Sequence, residues 1–234
     1  MQTIPLSQLA LAFIPVALVL LLMWHWDVRA RDGVVATLRM LAQLLLVGYV
    51  LTFIFTTDNP LVVVGVVLLM IVCSAWIALR PLPRWHGRLL AVLSGILGMV
   101  GIAVLMLMTQ LVLDASRWYE PSFVVPLAGM IFANAMNTAS LAGERFYAEI
   151  EHDVSAPLAR KTAFQAAVIP QINALLAVGL VSLPGMMTGQ ILSGVDPHIA
   201  ARYQIMVMCM LFGSSGLSAA LFVSYLAKTA RVSS

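Results

Sequence analysis

Seven long apolar runs, separated by short charged connectors, constrain this sequence more than any other feature. A helix needs about 20 apolar residues to cross the roughly 30 Å of hydrocarbon in a bilayer, and each run has about that length. We therefore predict an all-α, polytopic membrane protein with about seven transmembrane helices. The runs cover residues 6–24, 34–55, 61–79, 89–113, 123–143, 158–182 and 200–226.

The composition excludes an ordinary soluble protein. Of the 234 residues, 62% are hydrophobic and only 10% are charged, whereas soluble domains contain roughly 45–50% apolar and 25% charged residues. Because no connector is long enough for a separate soluble domain, residues 1–234 are predicted to form a single transmembrane domain. The basic residues lie between apolar runs, so we expect contact with lipid and no binding of nucleic acid.

The basic residues are distributed unequally between the two sides of the predicted bundle. Cytoplasmic connectors are enriched in Lys and Arg in membrane proteins, so the richer side is predicted to be cytoplasmic. The N-terminus is then outside and the C-terminus is in the cytoplasm. The richer side holds Arg29, Arg31, Arg39, Arg80, Arg84, Arg88, Arg145, Arg160, Lys161, Lys228 and Arg231, and the other side holds Arg117 and Arg202.

Residues 178–194, VGLVSLPGMMTGQILSG, interrupt an apolar run with Pro184 and Gly185. The stretch 156–194 is too long for one crossing, so the sixth helix is predicted to break at Pro184-Gly185. Irregular backbone within a bilayer is tolerated where it lines a cavity or is packed in protein. The candidate pathway or hinge residues here are Pro184, Gly185, Met186, Met187 and Gly189, and the spacing of Gly185, Gly189 and Ser193 suggests close packing.

The fifth run carries polar and sulfur side chains in mid-span. Asn134 and Asn137 lie one turn apart, with Met130 and Met136 beside them. An amide at this depth bonds across helices or meets a polar substrate, and both interpretations stay open. Asn134, Met130 and Met136 are therefore candidate lining residues, although methionines at helical spacing more often fill a core.

Small residues indicate close helix packing in the fourth and fifth runs. Ser94 and Gly98 have small-xxx-small spacing, Gly95 and Gly101 lie nearby, and Gly143 continues a similar pattern in the fifth run. In the seventh run, residues 206–210 read MVMCM. Their sulfur atoms could bind Cu(I), but contiguous residues point around a helix instead of converging.

The connector at about 144–156 is predicted to be a cytoplasmic amphipathic helix. Its apolar residues recur every fourth position, and its polar face is acidic, which suits a basic soluble partner better than lipid headgroups. A merely solvated helix is the alternative. The candidate docking residues are Arg145, Phe146, Glu149, Ile150, Asp153 and Val154.

The sequence lacks the motifs of an enzyme. It contains no G-x-x-x-x-G-K-[ST], no H-E-x-x-H and no G-x-S-x-G. Acidic residues deep in the spans, which ion-coupled carriers need, are also missing. No catalytic residue and no cofactor are predicted in this chain, a metal site is left unassigned, and an external ATPase is the favoured energy source.

Four segments resemble a known family: RMLAQLLLVGYVLTFIF at 39–55, PLAGMIFANAM at 126–136, VGLVSLPGMMTGQILSGVDP at 178–197 and YQIMV at 203–207. They resemble the FetB/YbbM-type (UPF0014) family of ABC transporter permeases, whose plant relatives act in aluminium tolerance. The resemblance covers nearly the whole chain.

The resemblance implies a permease subunit in the bacterial inner membrane, exporting a metal ion such as iron or a small metal-linked solute. Two copies would pair with two separate ATP-binding cassette subunits, which hold ATP and Mg²⁺. The sequence departs from the family in the connector, which lacks an L-G-A-[ST] element between 143 and 160 and is shorter by roughly a dozen residues. A membrane scaffold or regulatory subunit that transports nothing is therefore the alternative.

Overall fold

The computed structural model describes residues 5–57, 59–83, 87–115 and 117–230. Apart from one isolated bridge between Val178 and Ser182, the regular structure in these residues is helical, which confirms the predicted all-α class. The helices are α1 Leu6–Leu11, α2 Ile14–His25, α3 Ala30–Phe55, α4 Pro60–Leu79, α5 Gly87–Met106 with a π-helical extension Leu107–Val112, α6 Pro121–Glu151, α7 Ala156–Ala177, α8 Gly185–Leu192 and α9 Pro197–Ala230.

The chain divides into two compact units, Met1–Thr57 and Asp58–Ser234. That one domain covers 1–234 remains a prediction. In the first unit, α2 and α3 pack against each other where Gly33 faces Leu20. The turn between them places Asp27 at φ 55°, and the amide N–H of Val28 donates to the Met23 carbonyl at 2.9 Å, which closes the end of α2.

Helix α6 is the centre of the second unit and packs against α4, α5, α7 and α9. Its buried face alternates small and large residues. Phe132 lies between Ala128 and Ala135, and Phe146 lies one turn after Ala142. Helix α7 meets its neighbours through an alanine stripe at Ala159, Ala163 and Ala167, all at most 1% exposed. Small side chains let helix backbones approach closely.

Six helical segments in the described residues are long and apolar enough to span a membrane, against seven predicted. They are Ser7–His25, Ala30–Phe55, Pro60–Leu79, Gly87–Val112, Pro121–Glu151 and Pro197–Ala230. The predicted sixth span, 158–182, is absent from this set because α7 ends at Ala177 and carries Arg160, Lys161 and Gln171. The polytopic class is confirmed, and the orientation of the termini remains a prediction. Arg84 and Arg231, which support it, lie outside the described residues.

Only some of the small residues pack as predicted. A Cβ added at Gly101 would lie 2.3 Å from Phe132 and one at Gly143 would lie 2.9 Å from Phe222, so both glycines are needed for contact. A Cβ added at Gly98 would lie 3.6 Å from the Ile71 side chain, which is an ordinary van der Waals distance. The expected close packing of Gly185 and Gly189 is wrong within this chain, because a Cβ there would meet no described heavy atom within 4 Å.

Candidate functional site

The predicted break in the sixth helix exists, but it begins seven residues before Pro184. Helix α7 ends at Ala177, whose carbonyl accepts the N–H groups of Leu180, Val181 and Ser182 at 2.8–3.2 Å. Val178 leaves the helix with an extended ψ of 130°, and Gly179 follows at φ +82°, a left-handed conformation that glycine adopts without strain and that a type II turn requires. The sequence predicts the break at Pro184 because proline is the stronger helix-breaking signal.

Pro184 begins the second half of the break. It is the N-cap of α8 with an extended ψ of 140°, and Gly185 is the first helical residue. At the other end, Gly194 has φ +90° and the Val195 N–H donates to the Gln190 carbonyl at 3.0 Å, as in a Schellman cap. Eight residues make a helix of about 12 Å, too short to cross a bilayer.

Two cavities flank α8, and we name the first cavity A. It has a volume of about 460 Å³. It brings together Met130 of α6 and Met186 of α8, two of the predicted pathway residues. Its twelve lining residues are Leu113, Ser122, Phe123, Pro126, Leu127, Met130, Met186, Gln190, Val195, Ile199, Tyr203 and Met206.

Cavity B, on the other side of α8, has a volume of about 470 Å³. Met187 lines cavity B, so the adjacent residues Met186 and Met187 of α8 line different cavities. Helix α9 contributes Met208 and Cys209 to cavity B and Met206 to cavity A. The MVMCM residues therefore diverge around the helix, as predicted. The lining residues of cavity B are Leu175, Val178, Gly179, Leu183, Met187, Ala201, Gln204, Ile205, Met208 and Cys209.

The remaining predicted pathway residues are not among the lining residues of either cavity. Pro184, Gly185 and Gly189 belong to the ends and the exposed face of α8. Met136 is half-buried on α6. Asn134 donates from Nδ2 to the Met130 carbonyl of its own helix at 3.0 Å. Their assignment to the pathway or hinge stays a prediction.

An interhelical hydrogen bond forms near Asn134, but between other residues. Gln171 Nε2 of α7 donates to Thr138 Oγ1 of α6 at 3.3 Å. Thr138 is 2% exposed and also donates to the Asn134 carbonyl. Thr138 was missed in the sequence because a threonine within a helix bonds equally well to its own backbone.

Buried glutamines were also missed. Within the described part of the chain, Gln190 Oε1 and Gln204 Oε1 are buried without a hydrogen-bond partner, as is Gln110 Nε2 of the π-helical segment. Gln190 lines cavity A and Gln204, 6% exposed, lines cavity B. Unsatisfied buried amides are costly, and each cavity has one glutamine of this kind among its lining residues. No periodicity in the sequence marks these positions.

The predicted docking segment is the C-terminal end of α6 and not a separate helix. Arg145 and Glu149 form an i,i+4 ion pair on it. Phe146 is 1% exposed, so its side chain supports the packing of α6 and is not available to a partner in the chain alone. Ile150 is half-buried.

A Schellman motif ends α6 and turns the chain into α7. Asp153 has φ +59°, its N–H donates to the Ile150 carbonyl, and the Val154 N–H donates to the Glu149 carbonyl, both at 3.1 Å. Ser155 occupies the N-cap position of α7, although its side chain makes no capping hydrogen bond. At the start of α9 Asp196 Oδ1 accepts the His198 N–H at 2.8 Å and caps the helix.

The donors available to a metal ion are sulfur and amide oxygen. The described residues contain no group of three or more His, Cys, Asp and Glu that could hold a metal. Anionic and imidazole ligands are what hard and borderline cations require. The cavities instead offer thioethers, one thiol, neutral amides and, in cavity A, the hydroxyl groups of Ser122 and Tyr203.

Comparison with known proteins relates the chain to one family. Residues 6–230 match the family model described as "Uncharacterised protein family (UPF0014)". The chain is 36% identical to "Probable iron export permease protein FetB" of Escherichia coli, over 77% of this chain and 74% of that protein. It is 35% identical to "UPF0014 membrane protein slr1647" of Synechocystis sp., over 77% and 75%.

A plant protein extends the similarity further along the chain. "Protein ALUMINUM SENSITIVE 3" of Arabidopsis thaliana is 28% identical over 89% of this chain and 81% of its own length. No solved structure matches this chain.

Proposed function

Because this chain belongs to the UPF0014 family of membrane proteins, we propose that it is the permease subunit of an ABC transporter. In this proposal it exports an iron-like metal ion or a small metal-linked solute across the bacterial inner membrane. ATP and Mg²⁺ bind to a separate ATP-binding cassette subunit, and the permease acts as a homodimer. The similarity to the Escherichia coli protein that is named a probable iron export permease supports the permease role and the metal class.

One observation carries the proposal: the short helix α8, between two irregular turns, has a cavity on each side. A helix that is too short to span, packed here against the long helix α9, leaves backbone groups at its ends that lipid cannot satisfy. Transport pathways are commonly built from such discontinuous helices. A merely structural membrane protein gains nothing from this interruption.

The α6–α7 corner is the proposed docking surface for the ATPase. Helix α6 has 31 residues and a length of about 46 Å, so it is longer than the roughly 30 Å hydrocarbon core. Arg145, Glu149 and Ile150 lie in its last turns, Phe146 packs beneath them, and Asp153 and Val154 follow the end of the helix. Helix α6 thus connects the docking surface at the corner with cavity A without interruption.

The second candidate function is a scaffold or regulatory subunit that binds a cytoplasmic partner and transports nothing. The shortness of the corner favours it, because only residues 152–155 separate α6 from α7. An ATPase that inserts into a longer coupling element would find little surface here.

Co-expression with a candidate ATP-binding cassette subunit from the same genome tests the proposal. We expect the two proteins to co-purify and the pair to hydrolyse ATP in liposomes, because the corner supplies the contact. Glu149→Lys reverses the charge of one partner in the Arg145–Glu149 ion pair and should reduce co-purification severalfold. The loss of the ion pair itself should lower folding stability by only about 0.3–0.5 kcal/mol.

Glu120→Lys, at the opposite end of α6, is the matched control and should leave co-purification unchanged. Absence of any association contradicts the ABC assignment. Association without ATP-dependent movement of any metal supports the scaffold instead.

A further inference from the structure

We propose that cavity A binds a soft monovalent cation, Cu(I) or its redox-inert analogue Ag(I), through the thioether sulfurs of Met130, Met186 and Met206. The inference rests on the proposed function only in taking cavity A as part of the substrate pathway, and it replaces the iron-like ion of that proposal with a soft monovalent cation. Binding itself is a property of this chain alone and is measured without an ATPase.

The three methionines reach cavity A from three different helices, α6, α8 and α9. Three of its twelve lining residues are methionine, compared with 14 of 234 in the chain. Core-filling methionines close gaps, whereas these line a space of about 460 Å³ that remains open. Their three rotatable bonds allow sulfurs from separate helices to close on one ion.

A further donor accompanies the sulfurs. Gln190 lines cavity A, and its buried Oε1 has no hydrogen-bond partner in the described chain. Cavity B repeats the combination with Met187, Met208 and Cys209 beside the unpartnered Oε1 of Gln204. Because an amide oxygen is a hard ligand, the soft-cation assignment depends on the sulfur atoms, which line the cavities on both sides of α8.

The charge of the cavity limits the ion to one positive charge. No Asp, Glu or His is among the described residues that line cavity A, so a cation keeps its full charge there. The cost of burying charge is steep in an apolar site and rises with the square of the charge. Met186 also lies in the first turn of α8, where the positive end of the helix dipole disfavours cations.

Ligand chemistry selects among monovalent ions. Thioethers are soft ligands that favour Cu(I), whereas Mg²⁺, Ca²⁺ and Mn²⁺ need oxygen ligands. Ag(I) shares the charge and softness of Cu(I). Cavity A is therefore expected to bind Cu(I) and Ag(I), and to bind Fe²⁺ and Zn²⁺ far more weakly.

Titration of the purified full-length protein with silver nitrate, in chloride-free buffer and detergent, tests the site. We expect saturable binding, with Met130→Leu, Met186→Leu and Met206→Leu each lowering the affinity at least tenfold, because leucine keeps the volume but removes the sulfur. Met136→Leu, also on α6 but absent from the lining of both cavities, is the matched control and should change affinity less than twofold.

The double variant Met187→Leu/Cys209→Ala tests cavity B in the same assay. If this variant alone abolishes binding, cavity A is not the site and the proposal is overturned. Equal affinity for Fe²⁺ or Zn²⁺ overturns the soft-cation class. X-ray absorption at the silver edge of the wild-type protein needs no variant to fold. Two or three sulfur neighbours support the proposal, and oxygen or nitrogen alone overturns it.

The outcomes separate this inference from the proposed function. Ag(I) binding by a chain that recruits no ATPase supports the site and contradicts the ABC assignment. ATP-driven transport by a chain that shows no saturable Ag(I) or Cu(I) binding supports the transporter and overturns the site.

Discussion

Gly101 sets how closely α5 approaches α6. The ring of Phe132, 1% exposed, fills the space where a side chain at position 101 would lie. The sequence predicted small-residue packing in this run but favoured Ser94 and Gly98. Choosing among neighbouring glycines requires the position of Phe132, which sequence spacing does not contain.

Gly101→Ala is expected to destabilise the protein by about 1–3 kcal/mol, the usual cost of overpacking a core. The added Cβ would lie 2.3 Å from the ring of Phe132, which is itself 1% exposed in the packed core. The measurement is thermal unfolding of the purified protein in detergent.

Gly95→Ala is the control on the same helix, since a Cβ there meets no described heavy atom within 4 Å. It should leave the melting temperature unchanged or raise it slightly, because alanine favours helix. Equal melting temperatures for the two variants would contradict the packing described here.

Asp153 holds a left-handed conformation at the α6–α7 corner. Asp153→Val should lower stability by about 1–2 kcal/mol, because a β-branched residue is strained at positive φ. Asp153→Gly removes the strain and should retain the wild-type melting temperature. A valine variant as stable as wild type would mean that the corner does not keep this conformation.

Helix α7 shows which elements the sequence could and could not predict. Its existence followed from the apolar run, and a break followed from the length of 156–194. Its end at Ala177 did not follow, because whether Gly179 uses its conformational freedom depends on the surrounding fold. The apolar run also continued through 178–183, where residues such as Leu180 and Val181 prove to be exposed and non-helical.

The alanine stripe of α7 gives a prediction for the element. Ala163→Leu places a large side chain at a position that is 0% exposed and should cost about 1–3 kcal/mol. Ala174→Leu, on an exposed face of the same helix, should cost little. The two melting temperatures, measured in one detergent, decide whether the stripe is a packed interface.

For the whole molecule, the sequence predicted the class well and the cavities poorly. Long apolar runs leave few alternatives to membrane helices, so the polytopic fold followed from composition and run length. Cavity A joins residues as distant as Met130 and Met206, and only tertiary packing brings them together. The sequence nevertheless singled out Met130 and Met186, one on each side of that cavity.

The predicted orientation requires that the chain cross the membrane between α6 and α9. In a background with Cys73 and Cys209 replaced by alanine, His198→Cys should react with an impermeant maleimide in intact cells. Glu151→Cys should react only after permeabilisation, because the basic side is cytoplasmic. Both positions are exposed in the structure.

Reaction of both cysteines from the same side would mean that α7 and α8 do not carry the chain across. The protein would then have six crossings and both termini on one side. The opposite pattern, with only Glu151→Cys labelled in intact cells, would reverse the predicted orientation.

The 31 residues of α6 have a mechanical consequence. Its one internal proline, Pro126, precedes Met130, so no proline interrupts the stretch from Met130 to Glu149, which spans about 28 Å. We expect such a stretch to move as one rigid rod, so that a tilt at Glu149 would also displace the wall of cavity A that Met130 forms.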